Sequence, residues 1–190
     1  MSTEKIESLV VELSKDPFNP HINFACAVEY ELLNQTASAV SFYLRAAEYG
    51  FASNPVIAYT SLLKMAHCFE DQNDRTSTVS NCLQQAVTVL PKRPEAYFLL
   101  SQFHERQRAW QESYTYAEIG LSVAYGHEPL PINVGYTNHF FLEYQKAVSA
   151  WWIGRRHESI ILFNKLKEKT AELPEEYLKS IESNLKVIGG

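Results

Sequence analysis

The chain has little glycine: seven residues in 190, two of them the final pair. It has no basic excess. Seventeen Lys and Arg stand against 22 Asp and Glu, for a net charge of -5. A surface that neutralises phosphates usually carries a basic stripe, so nucleic-acid binding is excluded as the expected role. Cysteine is scarce: Cys26, Cys68 and Cys82 are odd in number and form no CxxC pair. That excludes a secreted disulfide framework and points to buried free thiols in a reducing compartment. No stretch approaches the roughly 20 apolar residues that cross a bilayer. The opening Met1-Ser2-Thr3-Glu4-Lys5 lacks the basic-then-apolar order of a signal peptide. Asn34-Gln35-Thr36 matches a glycosylation acceptor, which carries no meaning in a cytosolic chain. The expectation is a soluble cytoplasmic protein.

What is present is apolar and aromatic. Hydrophobic residues make up 46% and aromatics 13%, which excludes a disordered chain. Ile6, Leu9, Val10 and Leu13 recur at helical i, i+3, i+4, i+7 spacing. Asp16-Pro17 and Asn19-Pro20 then punctuate the chain, and Asn54-Pro55, Arg93-Pro94 and Leu173-Pro174 each precede another helical run. Proline suits a first helical position, where its missing N–H would be unpaired in any case. No convincing alternation marks a strand. The class is all-α.

Four segments share a pattern. The first holds Ala27, Tyr30, Ala39, Tyr43 and Ala46, and the second Ala66, Phe69, Val79, Leu83, Ala86 and a closing Pro91. The third holds Tyr97, Leu100, Ser101, His104, Trp110, Ser113, Ala117 and Gly120, and the fourth Ala147, Trp151, Gly154, Ser159, Phe163 and Leu166. Small residues recur where paired antiparallel helices approach, and large ones fill the gaps between neighbours. One such unit cannot cover its own apolar face, so units stack. The spacing resembles the tetratricopeptide repeat, a helix-turn-helix of about 34 residues. The copies depart from that pattern. Cys26-Ala27 stands for Leu-Gly, Asn34 for the turn glycine, and an extra residue falls near Gln72-Asn73-Asp74. The resulting expectation is a single domain over 1–190, a right-handed α-solenoid. It has an N-terminal helix at 1–15, repeats at 16–50, 54–91, 93–125 and 138–170, and a capping helix at 174–188. Tyr177, Ile181, Leu185 and Ile188 lie on one face of that last helix.

From Arg93 the pattern sharpens. Arg93-Pro94-Glu95-Ala96-Tyr97-Phe98-Leu99-Leu100-Ser101-Gln102-Phe103-His104-Glu105-Arg106 is followed by Ala109-Trp110-Gln111-Glu112-Ser113-Tyr114, then Tyr116-Ala117 and Gly120-Leu121. Ala150-Trp151-Trp152-Ile153-Gly154-Arg155 leads into Glu158-Ser159, and the connection between carries Val134, Tyr136 and Leu142-Glu143. Over roughly residues 93 to 188 this resembles the helical-repeat region that accompanies family-2-like glycosyltransferase domains. In that family the sugar-nucleotide chemistry belongs to a separate nucleotide-binding α/β domain. The resemblance therefore implies an accessory or assembly role, with a glycosyltransferase as parent or partner. It carries over no catalytic residue.

The residues themselves point away from catalysis. Asp16, Asp71 and Asp74 form no Asp-x-Asp pair for a cation bridging a diphosphate. Asp71 and Asp74 read as inter-helix turn chemistry. The GxxxxGK[ST], GxGxxG and GxSxG patterns are absent. His67 and Cys68 are adjacent and so point to different helix faces, and His104 falls on a packing position. No metal and no cofactor is expected. A protein or peptide partner is.

The candidate surface is the concave face that first helices of stacked pairs line. By repeat position it holds His67, Glu70, Phe98, Gln102, Glu105, Arg106 and Tyr144. It lacks the Lys/Asn/Arg set with which some chaperone-binding repeats clamp a C-terminal carboxylate. The connection Tyr125 to Tyr136 is too long and apolar for a plain repeat turn, and its glycines and prolines preclude a regular helix. Two readings stay open for it: a binding loop using His127, Tyr136 and His139, or a plug between repeats three and four. Of Trp151 and Trp152, adjacent on one helix, one is free to line a surface.

Overall fold

The structure, a computed structural model, describes residues 2–72, 75–169 and 173–188. Asp74, and with it the turn pair it forms with Asp71, lies outside the described residues. So do Asn73, part of the Gln72-Asn73-Asp74 stretch near which an extra residue is expected, and residue 170, the expected end of the fourth repeat. Among the described residues there are ten helices and no strand. They are α1 (Ser2–Lys15), α2 (Pro20–Leu32), α3 (Thr36–Ser53), α4 (Pro55–Glu70), α5 (Thr76–Val89), α6 (Pro94–Arg106), α7 (Trp110–Ser122), α8 (Phe140–Trp152), α9 (Arg156–Lys167) and α10 (Glu175–Ile188). Helices α2 with α3, α4 with α5, α6 with α7 and α8 with α9 pack as antiparallel pairs. The chain divides into two compact units. One comprises Met1–Lys92 with Glu128–Val134, the other Arg93–His127 with Gly135–Gly190.

Local chemistry explains the helix ends. The Asn19 side chain accepts from the amides of His21 and Ile22, and that of Asn54 accepts from the amide of Ile57. Both satisfy orphan N–H groups of a first turn that proline begins. Three helix-to-helix turns share one conformation. Asn34 and Arg108 both take φ of 57° and Gly154 takes 84°. The next amide then closes onto the preceding helix: Gln35 donates to the Tyr30 carbonyl, Ala109 to that of His104 and Arg155 to that of Ala150, each at 2.9 Å. This left-handed C-terminal cap reverses the chain with its carbonyls satisfied. Glycine meets it without strain in only one of the three.

The pairs cross at small residues in a fixed register. Ser101 with Ser113, and Ala147 with Ser159, stand 12 residues apart, and all four are fully buried. Ala27 and Ala39 keep the same spacing and are also fully buried.

In the first unit these alanines let α2 and α3 close around Tyr43, which has no exposed surface. Phe24 meets its ring edge-on at 5.8 Å. The Tyr43 hydroxyl donates to Glu31 Oε2 at 2.6 Å, and Lys64 neutralises the same carboxylate at 2.5 Å. Helix α4 is buried without interruption from Ile57 to Leu63, between α3 and α5. Lys5 pairs with the buried Glu29 and so ties α1 to α2. Each large core side chain, such as Leu63 or Leu83, contributes about 1.5–3 kcal/mol by leaving water.

The second unit closes more tightly. Gly120 carries no side chain because a Cβ there would lie 2.8 Å from Leu142 Cδ2 and 3.0 Å from Tyr97 Cβ. Phe98, Ala117, Phe141 and Leu142 form one cluster, with Tyr136 packed against it. Phe140, Ala147, Phe163, Leu166, Leu173 and Ile181 form another, on which α10 lays its apolar face.

Candidate functional site

The second unit gathers three of the candidate residues, Gln102, Glu105 and Tyr144, on α6 and α8. The spacing of Gln102 and Glu105 on α6 puts both half-way out of the core, while Phe98, one turn earlier, is buried. Tyr144 is half-exposed on α8, and the next residue, Gln145, is buried. Helix α10 completes the face. Its stripe seats Ile181 in the core and leans Tyr177 edge-on against Phe141 at 4.8 Å and Tyr144 at 5.0 Å. The Tyr144 hydroxyl and Ser180 Oγ share a hydrogen bond of 2.5 Å. Between these elements lies an open hollow of ≈ 340 Å³ lined by Tyr144, Glu176, Tyr177 and Ser180.

The electrostatics of this face are acidic. Burial pushes the Glu105 carboxyl above its ordinary value, opposed by a hydrogen bond from the Gln145 amide and by the Arg106 charge. Tyr177 is pushed up to about 12, first by burial, then by Tyr144 and by the carboxylates of Glu176 and Glu105. Its phenol therefore lies in the field of both acids.

The other candidates scatter. His67 and Glu70 end α4 in the first unit, His67 exposed and Glu70 half-buried. Arg106 ends α6, exposed. Phe98 corrects the sequence expectation: at 1% exposure it lines no groove and instead packs on Tyr136 at 5.4 Å and Phe141 at 5.8 Å. Repeat position identified its helix and turn, but the closure of α8 over α6 decided its burial. In the long connection, Gly126 and Gly135 take φ of 80° and 85°. His127 Nε2 bonds to the Val123 carbonyl at 2.8 Å, and His139 lies 5.1 Å from the Tyr125 ring. Tyr136, partly buried, packs against the Phe98–Phe141 cluster of the second unit, and burial raises its phenol. His104 stacks on Tyr116 at 5.2 Å.

One assembly escaped the sequence reading. Tyr114, 2% exposed, donates to Glu158 at 2.9 Å and accepts from Arg155 at 2.8 Å. Lys146 joins Glu158 at 3.1 Å and Glu118 at 3.2 Å. These partners lie 12 to 44 residues apart, on three different helices and a turn, so no local spacing announces them. Trp152, 59% exposed, stacks on Trp110 at 5.1 Å and 15°, while Arg156 covers Trp151. The adjacent Trp151-Trp152 pair was the signal for that surface. Among the described residues, no group of three or more His, Cys, Asp or Glu is placed to hold a metal ion. No described helix is long and apolar enough to cross a membrane.

Comparison with solved structures defines the class of fold: tetratricopeptide-like. MamA matches with a TM-score of 0.65 at 15% identity over 88% of this chain and 90% of that one. TTC0263, a thermophilic TPR protein in Thermus thermophilus, matches with a TM-score of 0.57 at 15% identity, over 95% and 88% of the two chains. BtubC (BKLC) from P. vanneervenii gives a TM-score of 0.70 at 12% identity, over 98% and 80%. No protein-family model matches the sequence, and the curated proteins give no match.

Proposed function

We propose that the chain is a non-catalytic protein-interaction and assembly module that receives a partner on the α6–α8–α10 face of its second unit. One observation carries this reading. Polar and aromatic side chains from three helices, Gln102, Glu105, Tyr144, Tyr177 and Ser180, stand half-exposed together on a scaffold of buried, fixed register. Rigid elements that present adaptable polar groups around aromatic anchors suit recognition of another chain. The tetratricopeptide-like fold of MamA and TTC0263 supports the same reading through architecture alone.

As partner or parent we propose a glycosyltransferase. This rests on the motifs between Arg93 and Ser159, since none of the solved structures named above is called one. A cytoplasmic setting accords with Cys26, Cys68 and Cys82 as buried free thiols, Cys68 raised to about 11, first by burial and then by Glu31. The test immobilises the whole chain beside an Arg106→Glu/Gln102→Ala variant, passes source-cell lysate over both, and identifies what is retained. A glycosyltransferase held by the wild type alone supports the full reading. A different protein lost from the variant keeps the module as a general adaptor and removes the glycan link. Equal retention by both removes this face.

A second reading, direct contact with a glycan, is favoured by the exposed Trp152 stacked on Trp110. Stacked indoles offer the flat apolar face on which sugar rings pack. Oligosaccharides that quench tryptophan emission of the wild type but not of Trp152→Ala would establish it; unchanged emission would remove it.

A further inference from the structure

The connection between α7 and α8 contains a strap. Residues 128–134 pack with the first unit, whereas the chain before and after them belongs to the second. Within that segment exposure alternates. Leu130, Ile132 and Val134 are half-buried, while Pro129, Pro131 and Asn133 are exposed. A period of two means an extended backbone that turns three aliphatic side chains toward one surface. The sequence explains that conformation. Pro129 and Pro131 fix their own φ and push the residue before each, Glu128 and Leu130, toward extended geometry. Both also lack an amide donor, so a continuous ladder to a neighbour is impossible there. Gly126 and Gly135 flank the strap at φ of 80° and 85°, and a Cβ at either would meet nothing within 4 Å. These glycines therefore serve backbone rotation rather than close packing. The two ends are held: His127 Nε2 bonds to the Val123 carbonyl at 2.8 Å, and Tyr136 packs on Phe98 at 5.4 Å.

The strap is thus a short, pre-extended aliphatic segment, tethered at both ends and half-seated on the first unit. We infer that residues 128–134 occupy in cis a surface of the first unit that binds an extended segment of a partner protein with aliphatic side chains at alternate positions, and that such a segment displaces the strap. Three features favour exchange over a permanent plug. Its aliphatic side chains are only half-buried, whereas Leu63 and Leu83 of the first unit's core are buried. Its prolines and Asn133 are exposed. Glycine at each border lets it lift while α7 and Tyr136 stay in place. A partner segment of like pattern, already extended, loses little chain entropy on docking. This surface belongs to the other unit than the α6–α8–α10 face, so the inference goes beyond the reading above.

The test is the fluorescence anisotropy of a labelled peptide with the sequence of residues 127–135. It is titrated with the whole chain and with a whole-chain variant whose residues 128–134 are replaced by glycine and serine. A tethered strap seated about nine times in ten leaves the wild type only its open fraction for binding. The variant should therefore bind the peptide at least about tenfold more tightly. A control peptide with serine in place of Leu130, Ile132 and Val134 should not bind. No saturable binding to the variant overturns the inference, as does equal binding by wild type and variant or binding of the serine control. Thermal melting reports whether the variant is folded; if it is not, Leu130→Ala/Ile132→Ala/Val134→Ala takes its place. Hydrogen exchange of the wild type gives an independent answer. The amides of Leu130, Ile132 and Val134 should exchange through a local opening insensitive to denaturant, while that of Leu63 exchanges only with global unfolding. Strap amides that exchange only with global unfolding overturn the inference whatever the variants do. Peptide binding beside partner capture indifferent to Gln102 and Arg106 would sustain this surface and remove the α6–α8–α10 face; the opposite pair of results would do the reverse.

Discussion

The first and second units solve one packing problem with different chemistry. Where α2 crosses α3, alanine meets alanine at Ala27 and Ala39. Where α6 crosses α7, serine meets serine. Ser101 donates to the Ser113 carbonyl at 2.8 Å, and Ser149 of α8 donates to Ser113 Oγ at 2.7 Å. At the α8–α9 crossing the types mix, with Ser159 donating to the Ala147 carbonyl at 2.7 Å. The comparison separates two requirements. Size decides whether helices can approach at all. Hydroxyls are admitted only where each finds a partner, because a buried polar group left unpaired costs more than a methyl group.

The same contrast appears later in the pairs. Ala46 in the first unit and Gly120 in the second occupy corresponding places, both buried. The largest expected effect breaks this equivalence. Gly120→Val should cost about 2–3 kcal/mol in urea unfolding, since its branches would enter the space held by Leu142 and Tyr97. Ala46→Gly should cost only about 1 kcal/mol, the helix penalty of glycine. Next come the serines. Ser113→Ala strands the Ser149 hydroxyl and should cost about 1–2 kcal/mol. Converting Ser101, Ser113 and Ser149 together to alanine, as in the first unit, should cost less than Ser113→Ala alone. A triple variant weaker than the single would show that the hydroxyls do more than satisfy one another.

The turns give a smaller effect of opposite sign. Arg108 sustains a left-handed φ that Gly154 adopts freely, so Arg108→Gly should stabilise by about 1 kcal/mol. Asn34→Gly should gain less, because asparagine tolerates that conformation better. Melting of the two variants side by side checks the order. The smallest effect is a pH dependence. Burial lowers the pKa of His104 and the Glu112 charge opposes it. The unfolded chain therefore takes up the proton first, so stability is lost as pH falls below about 6.5. In His104→Leu the loss between pH 7 and pH 5 should be shallower in denaturant titrations. An unchanged slope would assign the acid sensitivity to other groups.

Much of the architecture was legible before any coordinates. Asn-Pro and Arg-Pro junctions announced helix starts because capping and proline geometry are local. Asn34 and Gly154 marked turns for the same reason, whereas Arg108 was unreadable as one, arginine having no preference for a left-handed cap. The candidate face was legible only in part. Helical position brought forward Gln102, Glu105, Arg106 and Tyr144, yet it also nominated Phe98, which the closure of α6 and α8 buries. Gln145 gave no signal, since a glutamine beside a tyrosine is ordinary until its amide is found against Glu105. Tyr177 was recognised only as part of a capping stripe.

The division has a physical basis. Sequence by itself determined the all-α class, the order of the helices, the 12-residue register of small residues and the resemblance to tetratricopeptide pairs. Each of these depends on residues a few turns apart in a helix or hairpin. Only the tertiary structure decided which aromatic is core and which is surface, and which carboxylates keep a cation of their own. It also brought together α6, α8 and α10, whose facing residues lie tens of positions apart: Tyr144 and Ser180 are 36 residues distant and share a hydrogen bond. Such contacts arise from how helices stack, and stacking is settled by the summed shape of both faces rather than by any single spacing.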